Sequence, residues 1–192
     1  MANYLVTGAN RGIGYEFCKQ LTERGENVIG VCRQYTRDFE KLGIRIFSDL
    51  DLTCDRSIKK ISDLIGSYEI DVLINNAGIL EKNSLQDLDK ESIISQFETN
   101  TVAPLLLTKA LLPNLAAKAK IIFITSRMGS IEDNLSGSSY GYRMSKVALN
   151  MAAKSLSIDL RSKEISIALL HPGLVRTGIR RHQRTEISER LD

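Results

Sequence analysis

Short apolar runs alternate along this chain with longer segments of helical periodicity, and that alternation limits the possible folds more than any other feature. The runs Tyr4 to Thr7, Asn27 to Cys32, Arg45 to Ser48, Asp71 to Asn75, Lys120 to Thr125 and Ser166 to Leu170 read as strands buried on both faces. Between them, helical patterns cover Ile13 to Arg24, Asp55 to Gly66, Lys90 to Ala119 with a break, and Ser139 to Arg161. Strands that alternate with helices imply an α/β, doubly wound parallel sheet covered on both sides. Right-handed crossovers give the strand order 3-2-1-4-5-6, with a cleft at the carboxyl ends of the first and fourth strands, where the order reverses. A length of 192 residues, without repeats or linker-like stretches, fits one domain over residues 1–177 followed by a short tail over 178–192.

Composition excludes several function classes. The formal charge of +3 is too small to imply nucleic acid as a partner. Cys18, Cys32 and Cys54 are odd in number and lack Cys-x-x-Cys spacing, which points to reduced thiols in the cytoplasm rather than a disulfide framework. No His/Cys/Asp cluster stands at ligand spacing, so no metal is expected. The N-terminus lacks the pattern of a signal peptide. The most apolar stretch, Val102 to Leu115, contains Lys109 and two prolines and falls short of the ~20 residues needed to span a bilayer. No membrane partner is expected.

Directly after the first strand comes Thr7-Gly8-Ala9-Asn10-Arg11-Gly12-Ile13-Gly14, which opens a helix. The first turn of a helix offers unpaired N–H groups, and glycines let an anion approach the backbone, so a strand–glycine turn–helix unit is suited to a pyrophosphate. Gly8 allows the sharp exit from the strand, Gly12 the close approach, and Gly14 the packing of helix on sheet. A site selective for NAD usually carries an acidic residue at the end of the second strand, roughly 20 residues past the glycines. Here Cys32 and Arg33 occupy that place. Arg33 and Arg11 suit a 2′-phosphate, so NADP is the expected cofactor.

With Asn75-Asn76-Ala77-Gly78 after the fourth strand, Tyr142-x-x-x-Lys146 in the last long helix, and Pro172-Gly173 after the sixth strand, the chain resembles the short-chain dehydrogenases/reductases from Tyr4 to about Thr177. The stretch Gly141 to Lys146, followed by Ala148-Leu149-Asn150, is similar to sniffer-type carbonyl reductases and the C-factor signalling protein. The resemblance implies a Rossmann domain that reduces an aldehyde, ketone or quinone with NADPH. The alternative is a nucleotide-binding signalling or regulatory protein with little turnover. It also implies a homo-oligomer formed through the Val102 to Leu115 and Lys146 to Leu160 helices.

Tyr142 and Lys146 stand four apart, on one helix face. A tyrosine titrates near ~10, and a neighbouring ammonium would lower that value by stabilising the phenolate, which predicts a general acid tuned downward by Lys146. Ser126, after the fifth strand, is placed to hold a carbonyl oxygen beside Tyr142, with Ser130, Ser138 and Ser139 as alternatives in the same stretch; Ser139 fits a turn or N-cap position. The resemblance adds Asn100 as the fourth catalytic residue, at a point where asparagine in a helix often marks a kink. It also implies cofactor contacts at Asn10, Ile13, Asp51, Leu52, Asn76, Ala77 and Gly78, at Tyr142 and Lys146 themselves, and at Pro172, Gly173, Val175 and Thr177. His171 reads as structural. The family's usual C-terminal edge strand is expected to be missing, because Gly178 to Asp192 is basic with few apolar residues.

Overall fold

The strand at Asn3–Thr7 (β1) is apolar on both faces and lies in the middle of the molecule, hydrogen-bonded in parallel to Asn27–Val31 (β2) and to Ile70–Asn75 (β4). In the computed structural model, which describes residues 1–175, six strands form one parallel sheet in the order β3-β2-β1-β4-β5-β6. The remaining strands are Arg45–Phe47 (β3), Leu115–Ile124 (β5) and Ser166–Leu170 (β6). This is the expected Rossmann arrangement, and among the described residues no strand follows β6. The expected contact at Thr177 and the tail over 178–192 lie outside the described residues.

The alternation of side chains divides the core into two layers. Leu5, Ile29, Leu73, Ile121 and Phe123 belong to one cluster with residues of Asp55–Ile65 (α3), Ala103–Leu111 (α5) and Tyr140–Asp159 (α6). Their neighbours Val6, Val28, Val72 and Ile124 belong to the other, with Cys18 and Leu21 of Gly12–Glu23 (α1) and Phe39 of Arg37–Glu40 (α2). A period of two in the strands thus feeds both layers.

Two elements differ from the sequence expectation, and a third meets it in a specific form. The first is α2, a single turn that the pattern did not suggest; Thr36 starts it by accepting from the Phe39 N–H at 3.3 Å. Its Phe39 is fully buried where β2 has no side chain: a Cβ on Gly30 would lie 2.3 Å from the ring.

The second is Leu115 to Ala119, expected as helix and found as the start of β5. Pro113 stops the preceding helix, Lys118 takes φ +64°, and Ala116 and Ala119 are buried, so tertiary packing overrides the helical preference of the alanines. The extra residues appear as a shift in register, with Ile70 opposite Leu115 and Val72 opposite Lys120.

The third concerns the break expected within Lys90 to Ala119. The helix Lys90–Phe97 (α4) runs into α5 through a widened π-turn at Glu98–Val102, where the Ala103 N–H reaches back to the Glu98 carbonyl. Pro104 brings no N–H to the carbonyl of Asn100, four residues back, which gives the widening a cause in the sequence.

The fit of Phe39 against Gly30 predicts that Gly30→Ala destabilises the fold by about 1–3 kcal/mol. Adding Phe39→Leu should recover part of that loss. Denaturant midpoints of the two single variants and the double variant check it; strictly additive losses would contradict the contact.

Candidate active site

The glycine turn is held by the strand next to it. Thr7 Oγ1 accepts from the N–H groups of Asn76 and Ala77 at 3.0 and 3.1 Å, while Asn76 Nδ2 donates to the carbonyls of Thr7 and Gly8 at 2.9 and 3.2 Å. The turn is packed so closely that a Cβ on Gly14 would lie 2.2 Å from the Gly8 carbonyl oxygen. No substituent fits there. Gly8 at φ +63° also sits against the Ala77 backbone. At the start of α1, the N-cap residue Arg11 makes no side-chain cap bond and no acidic residue stands in the first turn, which leaves the positive end of the helix open to an anion.

In front of this turn lies a cleft of about 670 Å³. Gly8, Asn10, Arg11, Gly12 and Ile13 line it on one side, Arg33, Asp51 and Leu52 on another, and Asn76, Ala77 and Gly78 along the fourth strand. All of these were expected from the sequence. Asp49, Leu50, Ile79 and Thr99 line it as well and were not, because the first three come from loops with no motif of their own and Thr99 from the π-turn after α4. Asn10 Nδ2 donates to the Gln34 carbonyl at 2.8 Å and ties the turn to the end of β2.

On the side of Asp51 and Leu52, Arg33 lies 3.8 Å from Asp51. Partial burial raises the Asp51 carboxyl, but the Thr53 N–H and hydroxyl and the Arg33 guanidinium outweigh it, so the group titrates below its ordinary range. Arg33 and, on the side of the glycine turn, Arg11 are two guanidinium side chains that line the cleft.

At the other end of the cleft, Gly78 leads to the candidate catalytic residues. A Cβ there would stand 3.0 Å from Asn100 Oδ1 and 3.8 Å from Lys146 Nζ. The Asn100 side chain is fully engaged: Oδ1 accepts from the Ile79 N–H at 2.8 Å, and Nδ2 donates to the Ile79 carbonyl at 2.9 Å and to Ser145 Oγ at 3.0 Å. Asn100 thus fastens the cleft wall to α6 from inside the π-turn. The kink and a place in the site coincide.

Lys146 is buried, and Nζ donates to the Ile124 carbonyl at 2.8 Å. Among the described residues no carboxylate pairs with it. Burial pulls the ammonium down to about 8. Its Nζ stands 5.7 Å from the centre of the Tyr142 ring. The turn Arg127–Gly129 packs against Lys146 with no room for a Cβ on Gly129, and this sets Ser126 beside the tyrosine.

The Tyr142 phenol, also buried, does not follow the expected downward shift. Burial raises it, and the hydrogen bond with the Ser126 hydroxyl only partly offsets this. Desolvation of the phenolate is the dominant effect, and the neighbouring ammonium does not reverse its sign. A phenol shifted this way stays protonated at neutral pH and is suited to give a proton rather than to take one.

The other sequence candidates fall elsewhere. Ser130 Oγ accepts from the Asp133 N–H in a turn. Ser139 does occupy the N-cap of α6, but its hydroxyl makes no cap bond. His171 Nδ1 accepts from the Arg127 N–H at 3.4 Å, a structural contact. Pro172, Gly173 and Val175 are exposed after β6 and do not line the cleft. Among the described residues no cluster of His, Cys, Asp and Glu could hold a metal, and no helix is long and apolar enough to cross a membrane.

The chain belongs to the short chain dehydrogenase family, whose model matches residues 2–188. A 1-hydroxy-2-glutathionyl-2-methyl-3-butene dehydrogenase from Rhodococcus sp. is 36% identical over 181 residues, 93% of this chain and 80% of that protein. The C-signal protein of Myxococcus xanthus is 47% identical over 113 residues, 57% of this chain and 68% of that one. A carbonyl reductase from Pseudomonas aeruginosa PAO1, solved in complex with NADP, superposes with a TM-score of 0.82 at 34% identity, covering 92% of this chain and 84% of the other.

The unpaired Lys146 gives a signed pH dependence of stability. Folded, it holds its proton up to about pH 8; unfolded, up to the ordinary 10.5. Between those values the unfolded chain binds more protons, so stability rises with pH by up to roughly 3 kcal/mol. Tyr142, raised by burial, acts in the opposite sense above its ordinary value of 10, and the buried thiols of Cys18 and Cys32, raised to about 12 and about 11, do so already above 9, which leaves pH 8 to 9 as the useful window. Lys146→Met should flatten the rise across that window in urea titrations, and an unchanged slope would contradict the uncompensated charge.

Proposed function

We propose that this chain is an NADPH-dependent carbonyl reductase that acts on an aldehyde, ketone or quinone. The observation that carries the proposal is the position of Tyr142, a buried, protonated phenol beside Ser126 and flanked by Lys146, one glycine away from a nucleotide-sized cleft. That cleft fits a dinucleotide by its donors. The glycine turn and the open end of α1 would hold the pyrophosphate, Arg11 and Arg33 the 2′-phosphate, Asp51 and Leu52 the adenine, and Asn76 to Gly78 the adenosine side. Lys146 would reach the nicotinamide ribose, and Pro172, Gly173 and Val175, outside the lining of the cleft, would border the nicotinamide beyond it.

Bound NADPH supplies the hydride. Ser126 holds the substrate carbonyl by its oxygen, and Tyr142 O–H donates the proton as charge develops on that oxygen. Lys146 stabilises the phenolate left behind, and its link to the Ile124 carbonyl holds the ammonium in place. Asn100 keeps the Gly78–Ile79 wall, α6 and the π-turn in register, so the proton donor and the cleft stay aligned. Alcohol oxidation would use the same groups in reverse and gain from higher pH, because Tyr142 must first ionise.

The likeness to the C-signal protein supports a second reading, a nucleotide-binding regulatory protein with little turnover. Free Cys18, Cys32 and Cys54 fit the reducing cytoplasm. A homo-oligomer is part of the proposal, because Leu106 on α5 and Met151 and Ile158 on α6 are exposed apolar residues on the two helices expected to meet across a two-fold axis.

Tyr142→Phe should lower carbonyl-dependent NADPH oxidation by about a hundredfold or more while NADPH still binds. A variant as fast as the parent would remove Tyr142 from the chemistry, and NADPH binding without turnover on any carbonyl would favour the regulatory reading. Arg33→Ala should weaken NADPH by roughly tenfold and leave NADH unaffected, as judged by fluorescence titration. Met151→Glu should shift sedimentation of the protein toward the monomer.

A further inference from the structure

Three consecutive residues ahead of α6 lie in the left-handed region: Gly137 at φ +61°, Ser138 at +55° and Ser139 at +51°. Serine holds such a conformation only where its surroundings fix it. Arg143 does so from within the helix, donating through Nε to the carbonyls of Gly137 and Ser138, both at 3.1 Å, and through Nη2 to Ser136 Oγ at 2.8 Å. The first N–H groups of α6 receive nothing from the Ser139 hydroxyl. Instead, Asn83, 57 residues away in the loop after β4, accepts from both ends of the junction. Its carbonyl oxygen accepts from the Ser139 N–H and its Oδ1 from the Tyr140 N–H, each at 2.7 Å.

Asn83 is 7% exposed, and its Nδ2 has no partner in the structure. Only the oxygens are in use. The loop that carries it is fixed in turn to α4: the Glu81 N–H donates to Gln96 Oε1 at 3.0 Å, and the Gln96 side chain packs on Gly141, where a Cβ would lie 2.7 Å from Nε2. The same loop begins at Gly78 and Ile79, which Asn100 holds. Asn83 therefore joins the wall of the cleft to the first turn of α6. Tyr142 is two residues beyond the amide it caps.

We propose that Asn83 is a positioning residue, whose side-chain oxygen fixes the first turn of α6 and so places the Tyr142 phenol against Ser126. It touches no reacting atom and acts through Tyr142, so the proposal rests on the reading of Tyr142 as the proton donor. Because Nδ2 is idle, aspartate can replace asparagine here: it keeps the accepting oxygen and puts a negative charge at a helix N-terminus, where charge of that sign is favourable. Alanine removes the oxygen, and glutamine displaces it by one methylene.

The test compares the full-length parent with Asn83→Ala, Asn83→Asp and Asn83→Gln. The measurements are NADPH affinity, kcat and KM with a reducible ketone, and the ultraviolet titration of Tyr142, isolated by subtraction of Tyr142→Phe. Asn83→Ala should lower kcat roughly ten- to hundredfold, the scale of a misplaced reacting group, with NADPH affinity unchanged. It should also move the Tyr142 titration midpoint, and Asn83→Asp should restore both. If Asn83→Ala does not fold, Asn83→Gln carries the same expectation.

Variants that lose thermal stability but keep the parent's kcat and phenol titration would reduce Asn83 to a helix cap and overturn the proposal. Should the parent reduce no carbonyl, the functional reading fails while the phenol titration still decides the role of Asn83. An unmoved midpoint then overturns it, and a moved one restored by aspartate supports it.

Discussion

A buried ammonium group without a counter-charge is the constraint on which the rest of the structure depends. Lys146 lies in the interior of an α/β sheet protein, with the Ile124 carbonyl as its hydrogen-bond acceptor. An isolated buried charge is costly, and the cost appears here as a proton held less firmly than usual. A molecule that only needed stability would place an apolar residue at this position. The surroundings hold the lysine there all the same: Gly129 packs on its backbone, Gly78 faces its Nζ, and Tyr142 lies along its side chain. A group kept at that cost points to use rather than to folding.

The same logic connects the two ends of the cleft. The glycine turn is shaped by Thr7 and Asn76, side chains that bind backbone, and the end near Tyr142 and Lys146 is shaped by Asn100 in the same way. Gly78 lies between them, where a Cβ would press on Asn100 Oδ1 at 3.0 Å and touch Lys146 Nζ at 3.8 Å. The π-turn that Pro104 helps to open is the reason Asn100 can face both Ile79 and Ser145. Fold and site are thus built from the same small set of asparagine and threonine contacts, most of them to main chain.

The sheet order and every strand were legible in the sequence, since buried parallel strands are continuous apolar runs and the crossover rule leaves few ways to join them. The start of β5 was not, because Leu115 to Ala119 is rich in alanine and its strand state is set by pairing with Ile70. The glycine-turn end of the cleft was legible because its glycines stand in sequence order between a strand and a helix. The sign of the Tyr142 shift was not: a pattern of Tyr-x-x-x-Lys shows which groups meet, but not how much water has been removed from them. Asn83 left no signal, since a single asparagine in a loop looks the same whether or not it caps a helix 57 residues further on.

The most direct test of this account is a crystal structure of the protein with NADPH and a carbonyl ligand bound together. The carbonyl oxygen should lie within hydrogen-bond distance of both Tyr142 Oη and Ser126 Oγ, with its carbon facing the nicotinamide and Lys146 still enclosed behind Gly78. A ternary complex in which Tyr142 and Lys146 turn away from the nicotinamide, or in which the dinucleotide lies outside the cleft along Gly8 to Ile13, would contradict it.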